Sequence, residues 1–168
     1  LSELIDNAID NDAKNINLIT YSELGTGSGK QKKRITKITE IAILDDGIGM
    51  DYETLRNCLS LGYGTNLDSS RENNHGKFGY GLKGSSLFAC HRVEVFSWQQ
   101  NTPSRVIYLD KDKIKSNQER FPDAVEMEIP EKYKKLIKKE STSGTLVIWK
   151  KLNETKIPKK IEAFKNLL

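Results

Sequence analysis

The spacing of apolar residues changes several times along this chain, and each change marks an element. From position 3 to position 12, Leu4, Ile5, Ala8 and Ile9 recur at helical spacing and leave Glu3, Asn7 and Asp10 along the other side. Asn15 to Tyr21 alternates as a strand, the glycine-rich run 25–29 reads as a flexible turn, and Thr39 to Leu44 reads as a second strand. A hairpin with an elaborated loop is therefore expected. A helix follows over Tyr52 to Ser60, with Asp51 placed to cap it and Leu55 and Leu59 facing inward. Positions 62 to 75 hold Gly, Asn, Ser and Asp with almost no apolar anchor, which predicts a mobile lid. A helix resumes over Leu82 to Cys90. Strands are then expected at Arg92 to Trp98, Arg105 to Leu109, Val125 to Ile129 and Thr145 to Trp149. A charged insertion over Asp110 to Asp123, a basic helix over Glu131 to Lys139 and a short helix over Ile161 to Leu168 complete the pattern. This order predicts an α+β sandwich, one sheet covered on one face by helices.

Composition narrows the class. The 168 residues fit one domain, and 36% hydrophobic with 30% charged residues, at a mean hydropathy of −0.59, is a globular composition. No apolar run approaches the roughly 18 residues of a membrane-spanning helix. The chain opens on Leu1 already in helical pattern, so an earlier segment is expected. Net charge is +4, with bases gathered at Lys30–Arg34, Lys132–Lys139 and Lys150–Lys160 and acids near Asp6, Asp10, Asp12, Asp45 and Asp46. That balance permits nucleic-acid contact without requiring it. Cys58 and Cys90 have no paired spacing, and His75 and His91 do not complete a zinc set, so two reduced, buried thiols in a reducing, cytoplasmic compartment are expected.

Four segments carry the chemistry. Glu3 and Asn7 lie one helical turn apart; an amide oxygen suits magnesium, which keeps most of its waters, and a neighbouring carboxylate can orient and deprotonate water. A solvated polar helix face would show the same residues. Asp45 ends the apolar run 41–44, and Gly47 and Gly49 let the chain turn sharply while the carboxylate faces a cleft, where it can accept a hydrogen bond from an exocyclic amine. An Asp-Gly turn alone reads equally well as a strand end. Met50 offers a soft apolar wall to a flat base, or fills core. In Gly76-Lys77-Phe78-Gly79-Tyr80-Gly81, continuing into Leu82 and Lys83, backbone amides can face an anion at a helix start, although a tight turn explains glycines too. The spacing matches neither a dinucleotide-binding fingerprint nor a GxxxxGK[ST] loop. Gly144-Thr145 places a small hydroxyl before a strand.

Together these segments resemble the ordered motifs of the GHKL ATPase superfamily, which includes gyrase, the heat-shock chaperone, sensor histidine kinases and MutL. The resemblance covers positions 3 to about 150, and the stretches 59–64 and 79–85 look most like MORC-type ATPases. It implies a Bergerat fold, a two-layer α/β sandwich with a mixed, mostly antiparallel sheet and a flexible ATP lid. The ATP-binding domain would span 1–152, with 153–168 a tail leading to a following domain. By resemblance, Glu3 is the general base, Asn7 the magnesium ligand, Asp45 the adenine reader beside Gly47, Gly49 and Met50, and Thr145 a water-mediated support. The stretch from Gly76 to Lys83 faces the phosphates, and Asp10 flanks the pocket. Lys83 is either a phosphate contact or an exposed helix residue. Asn11 departs from the small residue that MutL-like and chaperone-like members usually carry after this acid.

The leading expectation is an ATP-hydrolysing domain that uses magnesium, in which nucleotide closes the lid and pairs two protomers. Hydrolysis is expected to be slow here, because members of the superfamily generally receive a further Lys or Arg from a following domain. The basic clusters fit DNA as a partner of the larger protein, and a nuclear location if the source is eukaryotic. A histidine-kinase-type catalytic domain is the alternative within the superfamily; Glu3 argues for hydrolysis over transfer. A basic nucleic-acid-binding module whose glycines are only turns is the alternative outside it, and steep salt dependence without any nucleotide effect would mark it.

Overall fold

The computed structural model describes residues 1–26, 34–59, 78–100, 102–116 and 123–157. The elements in chain order are α1 (Ser2–Asp10), β1 (Ile16–Thr26), β2 (Arg34–Asp45), α2 (Tyr52–Asn57), α3 (Phe78–Ala89), β3 (Cys90–Trp98), β4 (Arg105–Asp110), α4 (Lys111–Lys115), β5 (Val125–Glu126), α5 (Glu131–Lys134) and β6 (Gly144–Leu152). The strands form one six-stranded sheet in the order β1-β2-β6-β3-β4-β5, and every ladder is antiparallel. The last strand therefore lies between β2 and β3, at the centre.

Alternation along β2, β3 and β6 sorts the core into two layers. Ile41, Ile43, Val93, Val95, Val147 and Trp149 face one way and pack with Leu4 of α1, Leu55 of α2 and Leu82 of α3. The other face is not bare. Ala42, Leu44, Phe96, Leu146 and Ile148 pack beneath Ile129 and Tyr133, so the segment around α5 closes over the back of the sheet. Tyr133 and Lys132 both donate to the buried Glu40 carboxylate, which pins that segment in place. Burial on both faces is why positions 41–44 form an unbroken apolar run rather than an alternating one.

The helices are held by packing more than by propensity. α2 has only six residues, well short of the ~12–15 at which a helix begins to stand alone in water. The Asp51 carboxylate accepts the Thr54 N–H at 2.8 Å, as its position predicts, and Leu55 is buried beneath it. α1 ends in a Schellman arrangement: the Asp12 N–H reaches the Ile9 carbonyl, the Ala13 N–H reaches the Ala8 carbonyl, and Asp12 takes φ +60°.

Several expected boundaries move. β1 and β2 extend through Gly25 and Thr26, which pair with Ile35 and Arg34, because cross-strand pairing carries the glycine that local composition assigns to a turn. α3 begins at Phe78 rather than Leu82, which places Gly79 and Gly81 inside its first turns. β5 has two residues, and the basic helix stops at Lys134 before a series of turns. The charged insertion contains α4, with Asp110 accepting from the Asp112 N–H at its start. Cys58 and Cys90 are buried free thiols, as expected, and burial raises the pKa of both. The expected lid over 62–75 and the helix over 161–168 lie outside the described residues. Among the described residues no helix is long and apolar enough to cross a membrane.

Candidate functional site

A single row across three strands forms the floor of the site. Asp45 at the end of β2 is registered with Thr145 at the start of β6, and Thr145 with Ser97 on β3. All three belong to the face that the helices cover. The cleft between this floor and the helices is lined by Asn7 and Ala8 of α1, Asn11, Asp45, Gly49, Met50, Leu82 and Thr145, with Leu4, Ile43 and Val147 behind them. Sequence positions from 7 to 145 thus converge on one concavity.

Asp45 is nine-tenths buried. Desolvation pushes its carboxyl up to about 6, against the opposing effect of backbone N–H groups of Gly47, at 3.0 Å, and Thr145, while the neighbouring charge of Asp46 adds to the rise. The group is ionised at neutral pH yet close to its protonation point, a poised acceptor. The turn after it is shaped by contact. Gly49 has φ +69°, and a Cβ there would collide with the Trp98 carbonyl, so no other residue fits. At Gly144 an added Cβ would strike the Trp98 ring and the Asp45 carbonyl. The Met50 N–H donates to Ser97 Oγ at 2.7 Å, which leaves the side chain buried against the cleft.

Ser97 is a residue the sequence reading missed. Its hydroxyl receives the Met50 N–H, donates to the Gly144 carbonyl at 3.0 Å and stands 3.4 Å from Thr145 Oγ1, so one buried side chain braces the turn and the hydroxyl beside it. The available signal was a small polar residue between Phe96 and Trp98, in the part of β3 that is buried. Asn11 was noted only as a departure. Its amide donates to the Asn7 carbonyl at 2.6 Å and its own carbonyl accepts the Ile48 N–H at 3.0 Å, linking the end of α1 to the turn after β2.

On α1, Asn7 is buried and its Nδ2 has no hydrogen-bond partner. A buried polar atom costs about 1–3 kcal/mol when unsatisfied, so this amide fits a site completed by a ligand. A half-turn about χ2 presents its oxygen instead of its nitrogen, the donor type a magnesium ion takes. No group of three or more His, Cys, Asp or Glu is placed to hold a metal among the described residues. Glu3 is exposed at the open end of α1 and lies on α3: a Cβ at Gly81 would overlap its carboxylate. A side chain at position 81 would therefore have to displace the Glu3 carboxylate.

Leu82 is core and also lines the cleft. Lys83 is buried, not exposed, and desolvation lowers its pKa. The backbone of Phe78, Gly79 and Tyr80 forms the first turn of α3, where N–H groups lack intrahelical partners. Gly76 and Lys77 lie outside the described residues. Asp10 is exposed one turn beyond Asn7 and does not line the cleft.

A protein of Arabidopsis thaliana, Protein MICRORCHIDIA 7, is 34% identical over 96 residues, which is 57% of this chain and 12% of that protein. Among solved structures, the topoisomerase IV ATP-binding domain of Francisella tularensis, in complex with a small-molecule inhibitor, superposes with a TM-score of 0.50 at 16% identity, covering 99% of this chain and 40% of that one. The N-terminal domain of a DNA repair protein gives the same TM-score and identity over 92% of this chain and 35% of its own. These two likenesses concern the fold, and this chain spans well under half of each relative. The family described as histidine kinase-, DNA gyrase B-, and HSP90-like ATPase matches residues 1–145, and the chain belongs to that family.

Proposed function

We propose that this chain is an ATP-binding and ATP-hydrolysing domain. The observation that carries the reading is the cleft itself, where Asn7 of α1 and Asp45 of β2 face one concavity while Glu3 lies against the start of α3. Family membership and the likeness to a topoisomerase ATP-binding domain support ATP as the nucleotide.

In this reading Asp45 accepts from the exocyclic amine of adenine, and Met50, Leu82 and the Gly49 backbone form the walls around the ring. Thr145 supports the base through water. Asn7 holds the magnesium, and the α3 amides at Gly79 and Gly81, with Lys83 and the preceding Gly76 and Lys77, receive the phosphates at a positive helix end. Magnesium when bound supplies charge neutralisation on the phosphate oxygens. Glu3 orients and deprotonates the attacking water, a role worth on the order of 10²–10⁴ in rate. Asp10 acts from outside the cleft. Closure of 62–75 over the nucleotide, pairing of two protomers and action on DNA complete the proposal, supported by the family, by the likeness to a DNA repair protein and by the basic clusters.

Magnesium-ATP should raise the melting temperature of the chain, and Asp45→Asn should abolish the rise. A melting temperature unmoved by saturating magnesium-ATP would overturn the reading. Protease sensitivity at 62–75 should fall on adding a non-hydrolysable analogue, and the same sensitivity with analogue bound would remove lid closure from it.

A further inference from the structure

Asp46 sits beside the base reader but turns to another task. Its Oδ1 accepts the Lys14 N–H at 2.8 Å and the Asn15 N–H at 2.7 Å, and its Oδ2 accepts Asn15 Nδ2 at 2.6 Å. Lys138 Nζ donates to Asn15 Oδ1 at 2.6 Å, which fixes the amide with its nitrogen toward Asp46. Burial opposes ionisation of Asp46, but the bonds from Asn15 and Lys14 prevail and hold its carboxyl below the usual carboxylate range. The Lys14 and Asn15 amides are available because α1 has just ended in its left-handed cap at Asp12.

Two further bonds run in parallel between the same segments. The Asp46 N–H reaches the Asn15 carbonyl at 3.3 Å, and the Ile48 N–H reaches the Asn11 carbonyl at 3.0 Å. Gly47 lies between them with its Cα against the Asn11 carbonyl, where an added Cβ would come within 2.6 Å. The strand-end turn that carries the base reader is therefore stitched to the end of the helix that carries Asn7 and Glu3.

We propose that Asp46 is a positioning residue: its carboxylate clamps the α1–β1 connection at Lys14 and Asn15 to the turn after β2, and together with the Ile48–Asn11 bond beside it sets the distance between the base-reading and the metal- and phosphate-facing ends of the site. The inference rests on the ATP reading above. It predicts a split between ligands. Adenosine fills the base end of the cleft and makes no demand on the metal and phosphate positions, whereas magnesium-ATP must satisfy Asp45 and the metal-facing Asn7 at once, so loosening the connection between their segments penalises chiefly the longer ligand.

The test is calorimetric titration of the 168-residue chain at about pH 7.5, where Asp45 is ionised whether or not Asp46 is present. In Asp46→Ala, the adenosine Kd should stay within about twofold while the magnesium-ATP Kd rises by about tenfold or more. Asp46→Asn keeps an oxygen for the Lys14 and Asn15 amides but loses the bond from Asn15 Nδ2, so it should fall between wild type and Ala; it also serves as the folded variant should Ala unfold. Equal weakening of both ligands, as a general loss of stability would give, overturns the clamp, and so does unchanged magnesium-ATP affinity in both variants. A wild-type chain that binds neither ligand overturns the ATP reading itself, and the clamp with it.

Discussion

Protonating Asp45 tests the base-reading role with a single proton. Its carboxyl lies at about 6 in the folded chain, against about 3.9 for an unperturbed aspartate. An acceptor for an amine must be ionised to act at full strength, and the ionised fraction falls from about 0.97 at pH 7.5 to about 0.09 at pH 5. The adenosine Kd should therefore rise by about tenfold over that interval, with the midpoint near pH 6. Adenosine is the ligand to use because it carries no phosphate that titrates nearby. Stability of the free chain should move the other way. A raised carboxyl pKa means that the folded state binds the proton more tightly, so this group's contribution is greatest below about pH 4 and is lost as pH rises through 6. The full difference is about 3 kcal/mol, and Asp45→Asn should recover about 1 kcal/mol of it at neutral pH, because the amide gives up one of the two backbone bonds. The assay is isothermal titration across pH with thermal melts of both proteins. Adenosine affinity that stays flat from pH 8 to pH 5 in the wild type would refute the reasoning, as would a variant that binds adenosine like its parent.

Three substitutions probe the rest of the site. Glu3→Gln should retain magnesium-ATP affinity and lose turnover by at least about 10²-fold in a steady-state ATPase assay; undiminished turnover would remove Glu3 from the chemistry. Gly81→Ala should displace the flexible Glu3 carboxylate, lowering kcat while melting stays within a few degrees, and a large melting loss with normal kcat would contradict that arrangement. Gly49→Ala should cost on the order of 2–4 kcal/mol in chemical denaturation, since φ +69° and the Trp98 carbonyl both oppose a side chain; a neutral effect would mean the turn can rebuild.

How far the sequence could be read depended on whether a residue's role was local. Asp45 follows an apolar run and precedes glycines, and Asn7 shares a helix face with Glu3, so their approach to one cleft could be anticipated. Ser97 could not be placed in the same way, because its role arises from a registry between β3 and β6 that no local pattern encodes. Asp46 was visible only as an acid in the turn; its partners are 31 and 32 positions away and become donors only after α1 caps. The run 41–44 carried the sign of a strand buried on both faces, yet a sheet with one covered face was expected, because the lysines of 131–139 do not mark that stretch as a covering layer, although Ile129 and Tyr133 in fact close over the sheet. Gly25 and Thr26 joined the hairpin against local propensity, where pairing with β2 outweighs it.

The central place of β6 has a consequence for how the molecule comes into being. Its residues 144–152 are among the last of the described chain, yet they separate β2 from β3, so the neighbours that frame Asp45 come together only when this late segment is threaded into a gap left by the earlier strands. A ribosome still holding that part would display a chain with no nucleotide pocket at all. Such a long-range closure is slow to nucleate, and a bound ligand would reinforce the whole sheet at once rather than one corner of it.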